Sequence, residues 1–305
     1  MFRSLTRLVV KYLKVILVLA SALVFAACTA NKPIVSLGLV ADPQYADQPT
    51  AGKRYYRESV WKLKEAVDTF NHYKVDFVQT LGDVIDTKWE SYDSILPVYR
   101  RLDPHIENYH SLGNHDFSID STHMPQLLDR LSMPAFYYSY TRKGWRFIVL
   151  DATDYAFFSN PFHNYPLDDV DGYYQSTQGQ PNHYAWNSAI GRAQQEWLKS
   201  ELALAESAGQ KVILFAHMPL LPEEDSHNLW NGEEILTIIQ QNPSVVAYIN
   251  GHNHAGSYHF QDGVHYVTVF GMVDTEISSY AILNLYKNSI ELKGFGNQRS
   301  FRLKM

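Results

Sequence analysis

Apolar runs along this chain repeatedly stop at an acid, an amide or an imidazole. Ile34 to Ala41 is apolar apart from Ser36 and ends abruptly at Asp42, the pattern of a buried strand. Val60, Leu63, Val67 and Phe70 then recur at helical spacing, which predicts a helix from about Tyr55. Val75 to Leu81 predicts a second strand with Gly82-Asp83 at its end. A helix carrying Ile95, Val98 and Leu102 leads to a third strand near Ile106 to Leu112, just before Asn114 and His115. Phe136 to Thr141 and Trp145 to Asp151 predict two strands across a Lys143-Gly144 turn. Ile190, Trp197, Leu198 and Leu202 mark a long helix that stops near Gly209. Val212 to Ala216 ends at His217, and Val245 to Asn250 ends at Gly251-His252. From Tyr258 onward, short alternating runs broken at Asp262-Gly263 and Lys287-Asn288 predict antiparallel strands in a second sheet. Tyr155 to Asn187 has no periodicity but is rich in aromatic residues, so a packed loop near the site mouth is expected rather than disorder.

The residues at those strand ends are metal-ligand types. In order they are Asp42-Pro43-Gln44, Gly82-Asp83 with Asp86, Gly113-Asn114-His115-Asp116, His217, and Gly251-His252-Asn253-His254. A two-metal hydrolytic centre needs carboxylates, amide oxygens and imidazoles arriving from several strand ends. Open α/β sheets place ligand sites at the carboxyl ends of their strands, which is where these blocks fall. His252 and His254 would face the same side of an extended segment. Each residue has an ordinary alternative: His217 as a structural histidine, Asp83 as a turn residue, Asp42 as a helix cap, Asn114 in a left-handed turn. Seven such coincidences in one chain favour the metal reading.

Composition bounds the partners. The 305 residues carry a net charge of -6 with 26 basic and 32 acidic side chains. Arg3, Arg7, Lys11 and Lys14 lie in an N-terminal leader, and without them 22 basic residues face 32 acidic ones, or -10. That excludes a nucleic-acid backbone as the expected partner. The leader continues through an apolar run from Val15 to Ala27 and ends at Cys28, the only cysteine. Phe25-Ala26-Ala27-Cys28 resembles the bacterial lipoprotein box, with Phe where Leu is usual. The expected organisation is a signal peptide over 1–27, a short tether over 28–32 and one catalytic domain over 33–305. Lipid on Cys28 would hold the exported protein on the periplasmic face of a bacterial membrane. The outer membrane is favoured, because Thr29 and Ala30 carry no obvious inner-membrane retention signal. The alternatives are an uncleaved anchor and an ordinary signal peptide cut after Ala27 or Ala30.

Taken together, the blocks resemble the calcineurin-like metallophosphoesterases, whose pattern is D-x-H, GD-x-x-D, GNH-[DE], H and GH-x-H. The resemblance implies an α/β sandwich of two sheets flanked by helices (α/β/β/α). It also implies two divalent cations, one held by Asp42, Gln44, Asp83 and His254, the other by Asp83, Asn114, His217 and His252. A hydroxide held between them would be the nucleophile. His115 acts in that family as the acid or electrostatic partner of the leaving oxygen; Asp86 would orient and charge it, unless it is only a solvated loop acid. Gln44 stands where the family usually has His, and its harder oxygen shifts preference from zinc toward manganese or magnesium. A D-x-Q start, with Arg54-Tyr55-Tyr56-Arg57, Leu150-Asp151-Ala152 and His217-Met218-Pro219, is similar to the manganese-dependent ADP-ribose/CDP-alcohol diphosphatases. That similarity implies a small nucleotide-diphosphate substrate and a manganese pair, with magnesium, iron or zinc as alternatives. Arg54 and Arg57 either contact a distal phosphate or stand as exposed charges at a helix start. Two other functions stay open: a phosphodiesterase or phosphomonoesterase of the same fold, and a non-catalytic scaffold.

Overall fold

Fully buried strands lie at the centre of two sheets in the computed structural model, which describes residues 32–305. The first sheet runs β12 (Phe301–Lys304), β11 (Ser289–Gly296), β10 (Ser279–Leu285), β1 (Val35–Val40), β2 (Phe77–Leu81), β3 (Glu107–Ser111). The second runs β4 (Tyr138–Arg142), β5 (Trp145–Val149), β6 (Lys211–Phe215), β7 (Val245–Asn250), β9 (Val264–Thr268), β8 (Ser257–Gln261). β1, β2 and β3 are parallel, as are β5, β6, β7 and β9, while β10 pairs antiparallel with β1. Every residue of β2 and of β7 is buried, the signature of a strand covered on both faces.

Side-chain alternation in β5 shows how the layers assemble. Phe147 and Val149 join a core that also holds Leu37, Phe77, Phe215 and Ile249, between the two sheets. Ile148 and Leu150 belong instead to a cluster with Leu198 and Leu202 of the helix Arg192–Ser207 and Ile235 and Ile239 of the helix Gly232–Gln240. Leu63, Val67 and Phe70 of the helix Ser59–Tyr73 cover the first sheet. The result is the α/β/β/α sandwich, and Val35–Met305 is one compact unit. No helix among the described residues is long and apolar enough to cross a membrane. Cys28, the signal peptide and most of the tether lie outside the described residues.

Several expectations change. The strands after Tyr258 do not build a sheet of their own: β8 and β9 complete the second sheet, and β10 to β12 extend the first beside β1. Alternation marks a strand but carries no information about its partner. The first helix begins at Ser59 rather than Tyr55, and the next ends at Tyr99, leaving Leu102 outside. The aromatic segment is packed but not without structure, since it holds the helices Asn160–His163 and Leu167–Ser176.

Candidate metal centre

The carboxyl ends of β1, β2, β3, β6 and β7 meet at the junction of the two sheets, and the chain turns sharply at each. Asp42 (φ 48°), Gln44 (φ 42°), Asp83 (φ 53°) and His252 (φ 65°) all adopt the left-handed backbone that L-residues avoid. Gly251 to His254 is therefore a turn rather than an extended segment, and both histidines still point inward. Asn114, by contrast, is right-handed (φ -66°). Two glycines are fixed by these turns. Gly82 has φ 93°, and a Cβ there would stand 2.5 Å from His217 Nδ1. At Gly113 a Cβ would press on the Asp83 carboxylate and lie 2.7 Å from its backbone nitrogen.

All seven expected ligands come together. His217 Nε2 is 3.3 Å from Asp83 Oδ2, 3.2 Å from Asn114 Oδ1 and 4.0 Å from Asp42 Oδ1. His254 Nε2 is 3.5 Å from Asp42 Oδ1 and 3.3 Å from the Gln44 amide nitrogen, which itself donates to Asp83 Oδ2 at 2.9 Å. Ligand atoms of Asp83, His217 and His252 lie within 4.8 Å of one another. The outer ring nitrogens are held by hydrogen bonds of their own. His217 Nδ1 donates to Leu81 O (2.7 Å), His254 Nδ1 to Asp274 Oδ1 (2.7 Å) and His252 Nε2 to Asn187 Oδ1 (3.1 Å). Ligating histidines are oriented in this way, with one nitrogen fixed by a partner and the other free for the cation.

Electrostatics and one orphaned atom test the fit. Burial disfavours charge on His217 and His254, yet Asp83 and Asp42 outweigh it and push the two imidazoles up to about 9 and about 10. Burial would raise the Asp83 carboxyl, but the charges of His217, His115 and His252 hold it well below the usual range. The cluster thus demands positive charge at its centre, and divalent cations supply it. Gln44 Oε1 is buried without a partner among the described residues. Turning that amide over presents the oxygen to the gap between Asp83 and His254. Carboxylate, amide and imidazole donors in this mixture suit two divalent cations.

Around the ligands, some partners were expected and others were not. His115 Nδ1 lies 3.2 Å from Asp86 Oδ1 and 3.0 Å from Asp86 O. Burial lowers its pKa, but the charge of Asp83 and the bond and charge of Asp86 leave it above the ordinary value. Arg54 approaches the same Asp86 oxygen, 3.5 Å from Oδ1. Arg57 points elsewhere and pairs with the exposed Asp47 at 2.7 Å. Asp116, Asp274 and Asn187 received no role from sequence reasoning. Asp116 accepts from the N–H of Asp83, Val84 and Gly113 (2.9–3.0 Å) and from the Tyr92 hydroxyl, tying two ligand loops together. Its place in Gly113-Asn114-His115-Asp116 was the available signal; Asn187 and Asp274 sit in no motif.

The calcineurin-like phosphoesterase signature matches residues 36–256. The chain belongs to this family. It is 28% identical to the manganese-dependent ADP-ribose/CDP-alcohol diphosphatase of Arabidopsis thaliana, across 89% of this chain and 97% of that one. The Homo sapiens protein of the same name is 25% identical over 88% of this chain and 92% of its own. A solved dimetal phosphatase from Danio rerio superposes with a TM-score of 0.78 at 26% identity, covering 90% of this chain and 99% of that one. The Plasmodium GAP50 anchor protein shares the fold alone, at 14% identity and a TM-score of 0.56. Fold by itself does not decide catalysis. Family membership together with a filled ligand set makes this chain a dinuclear-metal phosphohydrolase rather than a metal-free scaffold.

Proposed function

We propose that this chain hydrolyses the phosphoanhydride bond of nucleotide conjugates of the ADP-ribose or CDP-alcohol type, using a manganese pair. Gln44 carries the reading. It is 1% exposed, set between Asp83 and His254, and brings an amide oxygen where the commonest family pattern has an imidazole. An oxygen-richer site favours manganese over zinc, and the relatives with manganese in their names align over nearly the whole chain.

In this reading Asp42, Gln44, Asp83 and His254 hold one cation, and Asp83, Asn114, His217 and His252 the other. When bound, the pair supplies Lewis acidity and acidifies water. Asp86 fixes the His115 ring and favours its charged form, so His115 gives a proton to the leaving phosphate oxygen. Arg54, beside Asp86, meets the second phosphate, which a monoester lacks. Tyr184 and Trp186 stack at 4.0 Å and are 41% and 43% exposed, offering a base an aromatic surface next to Asn187. Lipid on Cys28 would tether the exported enzyme to the periplasmic face of a bacterial membrane, the outer one favoured.

The test compares ADP-ribose, CDP-choline and CDP-glycerol with AMP, a cyclic nucleotide and a bis-aryl diester, each with Mn²⁺, Mg²⁺ and Zn²⁺. A higher kcat/KM for the diphosphates with Mn²⁺ is expected, because remote binding energy orients the reacting centre. A monoester or cyclic nucleotide ahead by about tenfold, roughly 1.4 kcal/mol of transition-state binding, would overturn the diphosphatase reading and leave only the family reaction.

A further inference from the structure

A second group of buried ligand-type side chains stands where β5 runs into the aromatic segment. Asp151 lies two residues beyond β5, Asp154 three residues later, and His163 at the end of the helix Asn160–His163. Ligand atoms of the three lie within 4.8 Å of one another. Asp151 is 1% exposed; its Oδ1 accepts from the Thr153 N–H (2.8 Å) and hydroxyl (2.5 Å), while Oδ2 has no hydrogen-bond partner among the described residues. His163 Nε2 has none either, on a side chain only 7% exposed, and the two orphaned atoms face each other across 3.5 Å. Asp154 Oδ2 accepts from Gly191 N–H (2.9 Å) and the Gln194 amide (3.2 Å). Its Oδ1 accepts only from the Tyr165 hydroxyl (2.8 Å), which leaves one lone pair free.

The charge balance is poor as it stands. Among the described residues no lysine or arginine forms an ion pair with either carboxylate; the one ionic partner is His163. Burial pushes the Asp151 carboxyl up to about 6. His163 is walled in by rings, stacked with Tyr165 at 5.5 Å and packed on Phe136 at 4.6 Å. Two buried acids balanced by a single imidazole leave negative charge uncompensated, which a cation among them would neutralise.

We propose that Asp151, Asp154 and His163 form a structural divalent-cation site, with zinc the best-fitting ion. Neighbouring ligands of a four-coordinate zinc stand about 3.3 Å apart, given Zn–N and Zn–O bonds near 2.0–2.1 Å, close to the 3.5 Å between Asp151 and His163. Two carboxylates neutralise the ion, and three protein ligands leave one position for water. A compact three-ligand site suits four-coordinate zinc better than manganese, which prefers six oxygen-rich ligands. The cation fastens the helix Asn160–His163 to the end of β5. Through Asp154, Gly191 and Gln194 it also steadies the segment carrying Asn187, whose side chain holds the metal-centre residue His252.

The experiment counts zinc in the full chain after chelation, reloading and desalting, by elemental mass spectrometry, beside thermal melting. The intact chain should hold about three equivalents, His163→Gln and Asp151→Asn about one fewer each. Asp83→Ala disables the metal centre; against that background added zinc should still raise Tm, and adding His163→Gln should abolish the rise. Cooperative melting checks that each variant is folded. A wild-type limit of two equivalents, a third equivalent that survives His163→Gln, or no zinc-dependent Tm in Asp83→Ala would each overturn the site. Should both loop variants fail to fold, an Asp83→Ala chain whose Tm does not respond to zinc would still overturn the site, since that change leaves this pocket untouched.

Discussion

Asp42, Gln44, Asp83 and His252 hang from left-handed backbone, at a cost of roughly 1–3 kcal/mol each, so the metal centre is held in place by its surroundings. Asp83 is the most tightly held of the four. Its carboxylate accepts from His115 N–H (2.7 Å) and the Gln44 amide, and its own N–H donates to Asp116. Asp83→Ala should therefore be the most damaging ligand change, because one carboxylate serves both cations. Gln44→His should be milder and shift metal preference toward zinc. Full activity with two metals bound in Asp83→Ala would dismiss the shared-ligand assignment. His115→Ala should lower kcat by about 10²- to 10⁴-fold with metal content intact, and less for substrates with good leaving groups. A uniform loss across leaving groups would reduce His115 to positioning the phosphate. Proton linkage offers an independent reading of the same cluster. Without cations His217 and His254 stay protonated until about 9 and about 10, and a cation must displace those protons. Metal affinity should thus weaken as pH falls from 9, by up to about tenfold per unit for each proton released. Calorimetry at pH 7 in two buffers of different ionisation enthalpy measures the release directly; buffer-independent heats would contradict it.

At the scale of elements, one buried lysine links a helix to the metal centre. Lys62 of the helix Ser59–Tyr73 is fully buried, and its Nζ donates to Met272 O (3.0 Å) and to the carbonyl of Thr275. Those carbonyls bracket Asp274, the partner of His254. Lys62→Met would leave the buried Met272 carbonyl without its donor, at about 1–3 kcal/mol, and release the part-buried Thr275 carbonyl. The expected result is a lower Tm together with weaker metal binding; an unchanged melt would show that the segment holds itself. Nothing in the local sequence announces this contact, since Lys62 occupies an unremarkable place in an amphipathic pattern. The strand ends were legible because each apolar run stops at a ligand block, so the same residues mark both the element and the site. The helix Leu167–Ser176 was not, because only Val170 is buried and no apolar stripe exists to count. Sheet membership of β8 to β12 was equally hidden, since β10 pairs with β1 across more than half the chain. Asp274 and Asn187 become visible only once the turns have brought them beside the histidines.

On the scale of the whole molecule, the question is where the catalytic unit works. Val35–Met305 is a single compact unit whose metal centre draws on positions from Asp42 to His254. The first 28 residues carry a basic start, an apolar run and the only cysteine of the chain. A single cysteine forms no internal disulfide. We propose lipidation as its role. A single acyl chain holds a protein to a membrane only marginally, whereas the two or three chains of a bacterial lipoprotein hold it firmly. Intact-mass analysis of protein extracted from membranes should accordingly show loss of residues 1–27 and a diacyl or triacyl adduct on Cys28. Cys28→Ala should move the enzyme from the membrane to the soluble or uncleaved fraction while leaving kcat unchanged, because the active site lies wholly within the folded unit. A mature chain that begins elsewhere, or a wild-type enzyme found free in the periplasm, would refute the anchor without touching the hydrolase.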